Sequence, residues 1–278
     1  MSTIRTDPLE AVGRVTQRER HLLRLLWEMR TFTTTQIAEM YFSRSGLVTA
    51  RHRLSLLAKI GVLDRFRPFR AGGGSAETHW LLGPTGAAIA AAELGQPTPT
   101  ARSLRSSALT LAASPRLGHL LAINGFFSSL VAAARYDRAA TLEQWWTERK
   151  CAMAWGRLVR PDAAGRWRDD AGCVDFSLEV DMGTESHRRL AGKLAGYQDL
   201  RGAGEAERWV LFWFPTVRRE TSARHALAGT DLLIATASAQ LGSPSSAIWL
   251  PVGNSYGRAT LGGLRQVGEV TGRGAIRS

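Results

Sequence analysis

The sequence predicts an α+β protein of two domains, a helical N-terminal part that ends in a hairpin and an α/β C-terminal part. Three observations carry this. Three helix-periodic segments are followed by two short strand-like runs around a glycine-rich loop. From near Thr141 the pattern changes to strand-like segments interleaved with helices. At 278 residues, with 44% hydrophobic and 22% charged residues, the chain is long and apolar enough for two cores.

The elements follow in order. Thr16-Gln-Arg-Glu19 is a capping box, and after it Leu22, Leu23, Leu25, Leu26 and Met29 line one side of a helix that ends near Arg30. Thr33, Thr34 and Thr35 offer a second N-cap before Gln36–Phe42, a short helix stopped by the turn-forming Ser43-Arg-Ser-Gly46. A third helix runs from Leu47 to Ile60 and closes on Gly61. Its Leu47, Ala50, Leu54, Leu57 and Ala58 share one face, while Val48, His52, Ser55 and Lys59 point the other way. Val62–Phe69 and Glu77–Leu82 then read as the strands of a hairpin around Arg70-Ala-Gly-Gly-Gly-Ser-Ala76. This order is that of a winged helix-turn-helix, placed at residues 1–95 and completed by an alanine-rich helix from Pro84 to about Leu94.

Pro97 and Pro99 open an expected linker over 96–116, and the second domain is placed at 117–264. It begins with a long helix, Leu117–Tyr136, whose apolar stretch is broken by His119, Asn124, Ser128 and Ser129, so it reads as a buried helix and not a membrane span. Its Phe126, Phe127, Leu130 and Val131 would serve as intramolecular core or, alternatively, as a homodimer contact. Strands are expected at Thr141–Glu148, Gly165–Arg168, Cys173–Asp181, Arg208–Phe214 and Ala247–Val252, and helices at Glu185–Arg201 and Val217–Leu227. Residues 265–278 read as a loose tail.

The formal charge of +12 favours a polyanionic partner, because each neutralised phosphate releases condensed counterions. The excess is local: residues 1–70 hold 13 Lys or Arg against 6 Asp or Glu, whereas 140–199 hold 9 against 10. Of the 36 basic residues 33 are arginine, a bias that suits phosphate and guanine recognition but that a GC-rich genome explains in larger part. Cys151 and Cys173 have no Cys or His at zinc-ligand spacing, so a reduced, cytoplasmic protein is expected, with no signal peptide and no membrane association.

A helix-turn-helix places its third helix in the major groove of double-stranded DNA, which requires long or hydrogen-bonding side chains near that helix's start. Ser45, Thr49, Arg51, His52 and Arg53 fit, and Arg65, Arg67 and Arg70 surround the wing, where cations meet flanking phosphates. For His52 a phosphate contact is as open as base reading. A winged helix used only for protein contacts would make this basic surface incidental.

In the second domain Arg160-Pro-Asp162 precedes a strand reading Val174-Asp-Phe-Ser-Leu-Glu-Val-Asp181. Glu179 and Asp181, two apart, project to one side and Asp162 can meet them from the neighbouring strand, with Phe176, Leu178 and Val180 turned to the core. Carboxylates so gathered suit Mg2+ or Mn2+. The arrangement resembles the restriction-endonuclease-like fold, whose signature is Pro-Asp followed by Asp or Glu, any residue, and Lys. By that resemblance Asp162 and Glu179 hold the metal, but Asp181 stands where the catalytic lysine belongs. Lys193, on the following helix, is the candidate to supply the cation from a displaced position.

Leu22-Leu-Arg-Leu-Leu26, Thr34-Thr-Gln-Ile-Ala38, Ala50-Arg-His-Arg-Leu54, Gly61-Val-Leu-Asp-Arg-Phe66, Leu82-Gly-Pro-Thr-Gly86, Arg160-Pro-Asp162 and Leu178-Glu-Val-Asp-Met-Gly-Thr-Glu185 look, in this order, like the replication-relaxation family of actinobacterial plasmids and mobile elements. The resemblance runs from about residue 16 to about residue 215 and implies a role in plasmid replication, DNA relaxation or transfer, beside other plasmid replication or transfer proteins. The expectation is a sequence-specific DNA-binding protein, acting there or in transcriptional control, whose nuclease-like domain is inactive. The alternative is a metal-dependent endonuclease directed by its own winged helix. A relaxase acting alone is disfavoured, since no two histidines are separated by one residue and only four tyrosines exist; no Gly-x-x-x-x-Gly-Lys-Ser/Thr loop offers an ATP engine.

Overall fold

The computed structural model describes residues 13–43, 46–68, 76–253 and 257–275. It divides into two compact units that meet at Ser128 and Ser129. The chain is mixed α and β, as expected.

In the first unit α1 (Gln17–Met29) starts at Thr16, whose hydroxyl accepts the Glu19 amide while the Glu19 carboxylate accepts the Thr16 amide. Leu22, Leu23, Leu26 and Met29 are buried along it. The helix stops at Arg30, whose φ of 70° and ψ of −43° let the Thr31 amide donate to the Met29 carbonyl at 2.9 Å. This is the rare, strained form of the γ-turn, and Arg30 is the only non-glycine with positive φ among the described residues.

Next comes β1 (Phe32–Thr33), a two-residue strand too short for any periodicity to announce. A second capping box, Thr33 with Gln36, opens α2 (Thr34–Tyr41). Ala50, Leu54 and Leu57 anchor α3 (Leu47–Lys59), and Gly61 follows with φ +73°. The strands β2 (Leu63–Phe66) and β3 (His79–Leu82) pair antiparallel, and β1 joins the far side of β3, giving the order β1-β3-β2. The helix α4 (Pro84–Leu94) lies so close to the start of this hairpin that a Cβ on Gly86 would stand 2.0 Å from the Val62 carbonyl oxygen, and only glycine fits.

Within the expected linker, residues 96–116, the chain forms a helix, α5 (Ala101–Ala112), capped by Thr100. The prolines there punctuate two helices, and along α5 Leu111 is buried with Ala108 packed beside it. In α6 (Leu117–Tyr136) the buried Asn124 amide donates to the carbonyls of Met29 (3.2 Å) and Thr31 (2.7 Å), on either side of the strained Arg30. Gln36 donates to the Leu121 carbonyl at 2.9 Å. The division between the units falls inside α6, not at residue 95 or 116. By length and composition α6 alone among the described helices could cross a membrane, yet Asn124, Phe126, Phe127, Ser128 and Leu130 in it are buried.

The second unit is built on a six-stranded sheet, β4 (Thr141–Thr147), β5 (Ala163–Asp169), β6 (Gly172–Val180), β7 (Trp209–Phe214), β8 (Ile234–Ser238) and β9 (Leu250–Pro251), in that order. The first three strands form an antiparallel meander; β6, β7 and β8 are parallel, and β9 is antiparallel to β8. Parallel neighbours need crossovers, and α8 (His187–Gly202) and α9 (Val217–Leu227) supply them, while α7 (Glu148–Trp155) follows β4. Every residue of β7 is buried, as in a strand covered on both faces. Val210, Phe212 and Phe214 pack with Leu190, Leu194 and Tyr197 of α8, Ala223 and Leu227 of α9, and Cys151 and Trp155 of α7.

Three expectations change here. The strand β8, Ile-Ala-Thr-Ala-Ser, is wholly buried but has one large apolar residue, so no alternation signals it. The strand expected over Ala247–Val252 shrinks to β9. The tail expected to be loose from 265 is helical as α10 (Leu264–Ala275), anchored by the buried Leu264.

Candidate functional site

Two groups of residues stand out, one in each unit. In the first, α3 presents Val48, Thr49, Arg51, His52 and Lys59 to solvent. Arg65 and Arg67 are exposed along and just past β2; the Arg65 guanidinium lies 5.7 Å from the Trp80 ring centre, and Arg67 Nε donates to Thr78 Oγ1 at 2.9 Å. Ser45 and Arg70 lie outside the described residues.

Arg53 does not belong to this open face. Its Nε donates to Glu19 Oε1 at 2.6 Å and its Nη2 to Glu19 Oε2 and the Arg14 carbonyl, both at 2.9 Å. Burial works against the Glu19 charge, but Arg53 and the Thr16 amide hold its pKa below the ordinary carboxylate value. Arg53 thus fastens α3 to the cap of α1.

In the second unit Glu179 and Asp181 are each 2% exposed, so they lie in the interior and not on a surface hairpin. Glu179 is in register with Phe212 of β7, inside the apolar layer beneath α8. Its Oε2 accepts from Lys193 Nζ at 2.7 Å and its Oε1 from the Tyr197 hydroxyl at 2.6 Å. Lys193 and Tyr197 are one turn apart on α8 and reach the same carboxylate, and Lys193 Nζ is also 3.2 Å from Glu185 Oε2. Asp162 caps the end of β6 by accepting the Val180 amide at 2.8 Å.

Burial pushes the Glu179 pKa up to about 7 and the charge of Asp162 adds to the shift, against the pull of Lys193 and Tyr197. Burial disfavours the Lys193 ammonium as well, but Glu179, Asp162 and Glu185 outweigh it and keep the lysine protonated.

Asp181, which the nuclease-like resemblance sets where a lysine would be expected, is held by a fork from Arg219, Nε at 2.8 Å and Nη2 at 2.6 Å. The same guanidinium donates to the Glu185 carbonyl, and Asp181 accepts the Gly183 amide. The pair joins the end of β6 to α9. Asp181 therefore does not share a site with Glu179: one carboxylate answers to α8, the other to α9. Tyr197, Glu185 and Arg219 were not among the site residues expected from the sequence. Tyr197 alone had a signal, its spacing of four from Lys193.

A divalent cation fits this arrangement poorly. Mg2+ and Mn2+ need several oxygen ligands, whereas the Lys193 ammonium is held against one Glu179 oxygen and the Tyr197 hydroxyl against the other, where a second cation would have to approach. Among the described residues no three His, Cys, Asp or Glu are grouped to hold a metal. What the cluster does as built is neutralise a buried carboxylate inside an apolar layer.

Residues 23–210 match a family model described as replication-relaxation, more than half of the chain. No curated protein and no solved structure matches it.

Proposed function

Since this chain belongs to the replication-relaxation family, we propose that it is a duplex-DNA-binding protein of a plasmid or mobile element, serving replication, relaxation or transfer in the cytoplasm. In this reading the first unit is a winged helix. Its α3 enters the major groove with Thr49, Arg51 and His52 toward base edges, and the β2–β3 hairpin is the wing whose Arg65 and Arg67 meet flanking phosphates. One observation carries it: the exposed side of α3 and the exposed edge of β2 hold Arg51, His52, Lys59, Arg65 and Arg67, while the one arginine of α3 with a buried partner, Arg53, secures the helix. The second unit is a nuclease-like scaffold that does not cut, a reading supported by the Lys193 ammonium and Tyr197 hydroxyl held against the Glu179 carboxylate and by Asp181 in its ion pair with Arg219.

Fluorescence anisotropy with a labelled duplex across a salt series tests the binding. Each phosphate contact contributes about 0.9 to the slope of log K against log salt, so Arg65→Gln with Arg67→Gln lowers the slope by about 2. Unchanged affinity and slope in the double variant defeat the assignment.

A second reading, a DNA endonuclease directed by its own winged helix, draws on the reach of Lys193 to Glu179. It requires that supercoiled DNA be nicked with Mg2+ or Mn2+ and that Asp162→Asn and Glu179→Gln abolish the nicking. Intact supercoils with either metal rule it out.

A further inference from the structure

Val48 stands on the first turn of α3, 73% exposed. Neither helix formation nor packing explains it: valine is a weaker helix former than alanine, lysine or arginine, and at this exposure its methyls contribute little to a core. The side chain is nevertheless well defined, because β-branching leaves valine essentially one χ1 rotamer in a helix. It shares a stripe with Arg51, His52, Ser55 and Lys59, at spacings of three, four, seven and eleven. An apolar group fixed within a cationic stripe suits an anionic surface that carries isolated apolar points. The major groove is such a surface, since among the four standard base pairs only those with thymine display a methyl group there, at C5.

We infer that Val48 reads the C5-methyl group of a pyrimidine in the major groove, giving the protein a preference that arginine contacts alone cannot supply. The inference rests on the DNA-binding reading above. Thymine and 5-methylcytosine carry the same methyl, so the test separates them.

The full chain selects duplexes from a random-sequence library. The enriched duplex is then remade with deoxyuridine replacing thymidine one position at a time, and separately with 5-methylcytosine replacing cytosine one position at a time. Loss of one buried methyl lowers affinity about fourfold. At one or two thymines the wild type loses about that factor, or at a cytosine it gains it; the first outcome identifies thymine and the second 5-methylcytosine. Val48→Ala, which disturbs no buried contact, abolishes the difference at that position and leaves the salt slope unchanged. If a duplex is enriched but every substituted form binds equally, or if Val48→Ala retains the methyl discrimination, the inference fails and DNA binding stands. If no duplex is enriched and no salt-dependent binding is found, the DNA-binding reading fails with it.

Discussion

Removing Lys193 while keeping Glu179 isolates the ion pair at the centre of the second unit. The side chains are 24% and 3% exposed respectively, so Lys193→Met strands a carboxylate that has almost no access to water. Breaking a buried pair on one side costs about 3–5 kcal/mol, and the wet outer quarter of Lys193 puts this case near 3. The cost depends on pH. Burial has already raised the Glu179 pKa to about 7, and loss of the ammonium raises it further. The folded state then keeps a proton that the unfolded chain releases above about 4.5, so stability falls as pH rises, by up to about 1.4 kcal/mol per pH unit between the two values. The deficit against wild type is therefore smallest at pH 5 and grows by up to about 1.4 kcal/mol by pH 8, one unit above the wild-type value, and Lys193→Met combined with Glu179→Gln recovers most of the loss. Guanidinium unfolding followed by tryptophan fluorescence is the assay, since seven of the nine tryptophans lie beyond residue 140. A loss that is the same at pH 5 and pH 8, or two substitutions that simply add, would refute the reasoning.

Three further outcomes are expected. In the wild type, the raised pKa of Glu179 makes the second unit lose stability as pH climbs from about 4.5 through about 7, and Glu179→Gln flattens that segment of the unfolding-against-pH curve. Arg53→Gln leaves the buried Glu19 without its partner and lowers the stability of the first unit by about 1–3 kcal/mol, yet well below the melting temperature it leaves the salt slope of DNA binding untouched, in contrast to Arg65→Gln and Arg67→Gln. Arg30→Gly relieves the strained γ-turn and raises the melting temperature of that unit, by the equivalent of about 1 kcal/mol after the added freedom of the unfolded chain is counted.

Local chemistry was legible where one residue type answers to one geometry. Thr16 with Glu19, Pro84 and Gly61 mark helix ends because caps are short-range, and the limits Val217–Leu227 came through unchanged. The gaps have equally specific causes. A strand of two residues has no period, and β8 is buried by its neighbours and not by its own hydrophobicity. At the candidate sites residue types were readable and partners were not. A helical wheel ranks Arg53 by its own face but is blind to a glutamate 34 positions earlier. Asp181 looked like one of three gathered carboxylates until Arg219, 38 positions on, proved to hold it. Such partners are chosen by the tertiary fold, and one arginine among 33 gives no hint of which carboxylate it meets.

The Asn124 amide has a consequence for the order in which the protein is made. It closes on carbonyls of Met29 and Thr31, some 95 residues behind it, and it braces a turn that local sequence disfavours. During synthesis at about 5–20 residues per second, α1 and β1 are therefore complete for roughly 5 to 20 seconds before the side chain that secures the bend between them exists. Until then the ribosome carries a unit whose first corner lacks this brace and rests on the Thr31 amide at the Met29 carbonyl, the Thr31 hydroxyl at the Trp80 carbonyl and the pairing of β1 with β3, and a chain cut short before Asn124 would remain in that state.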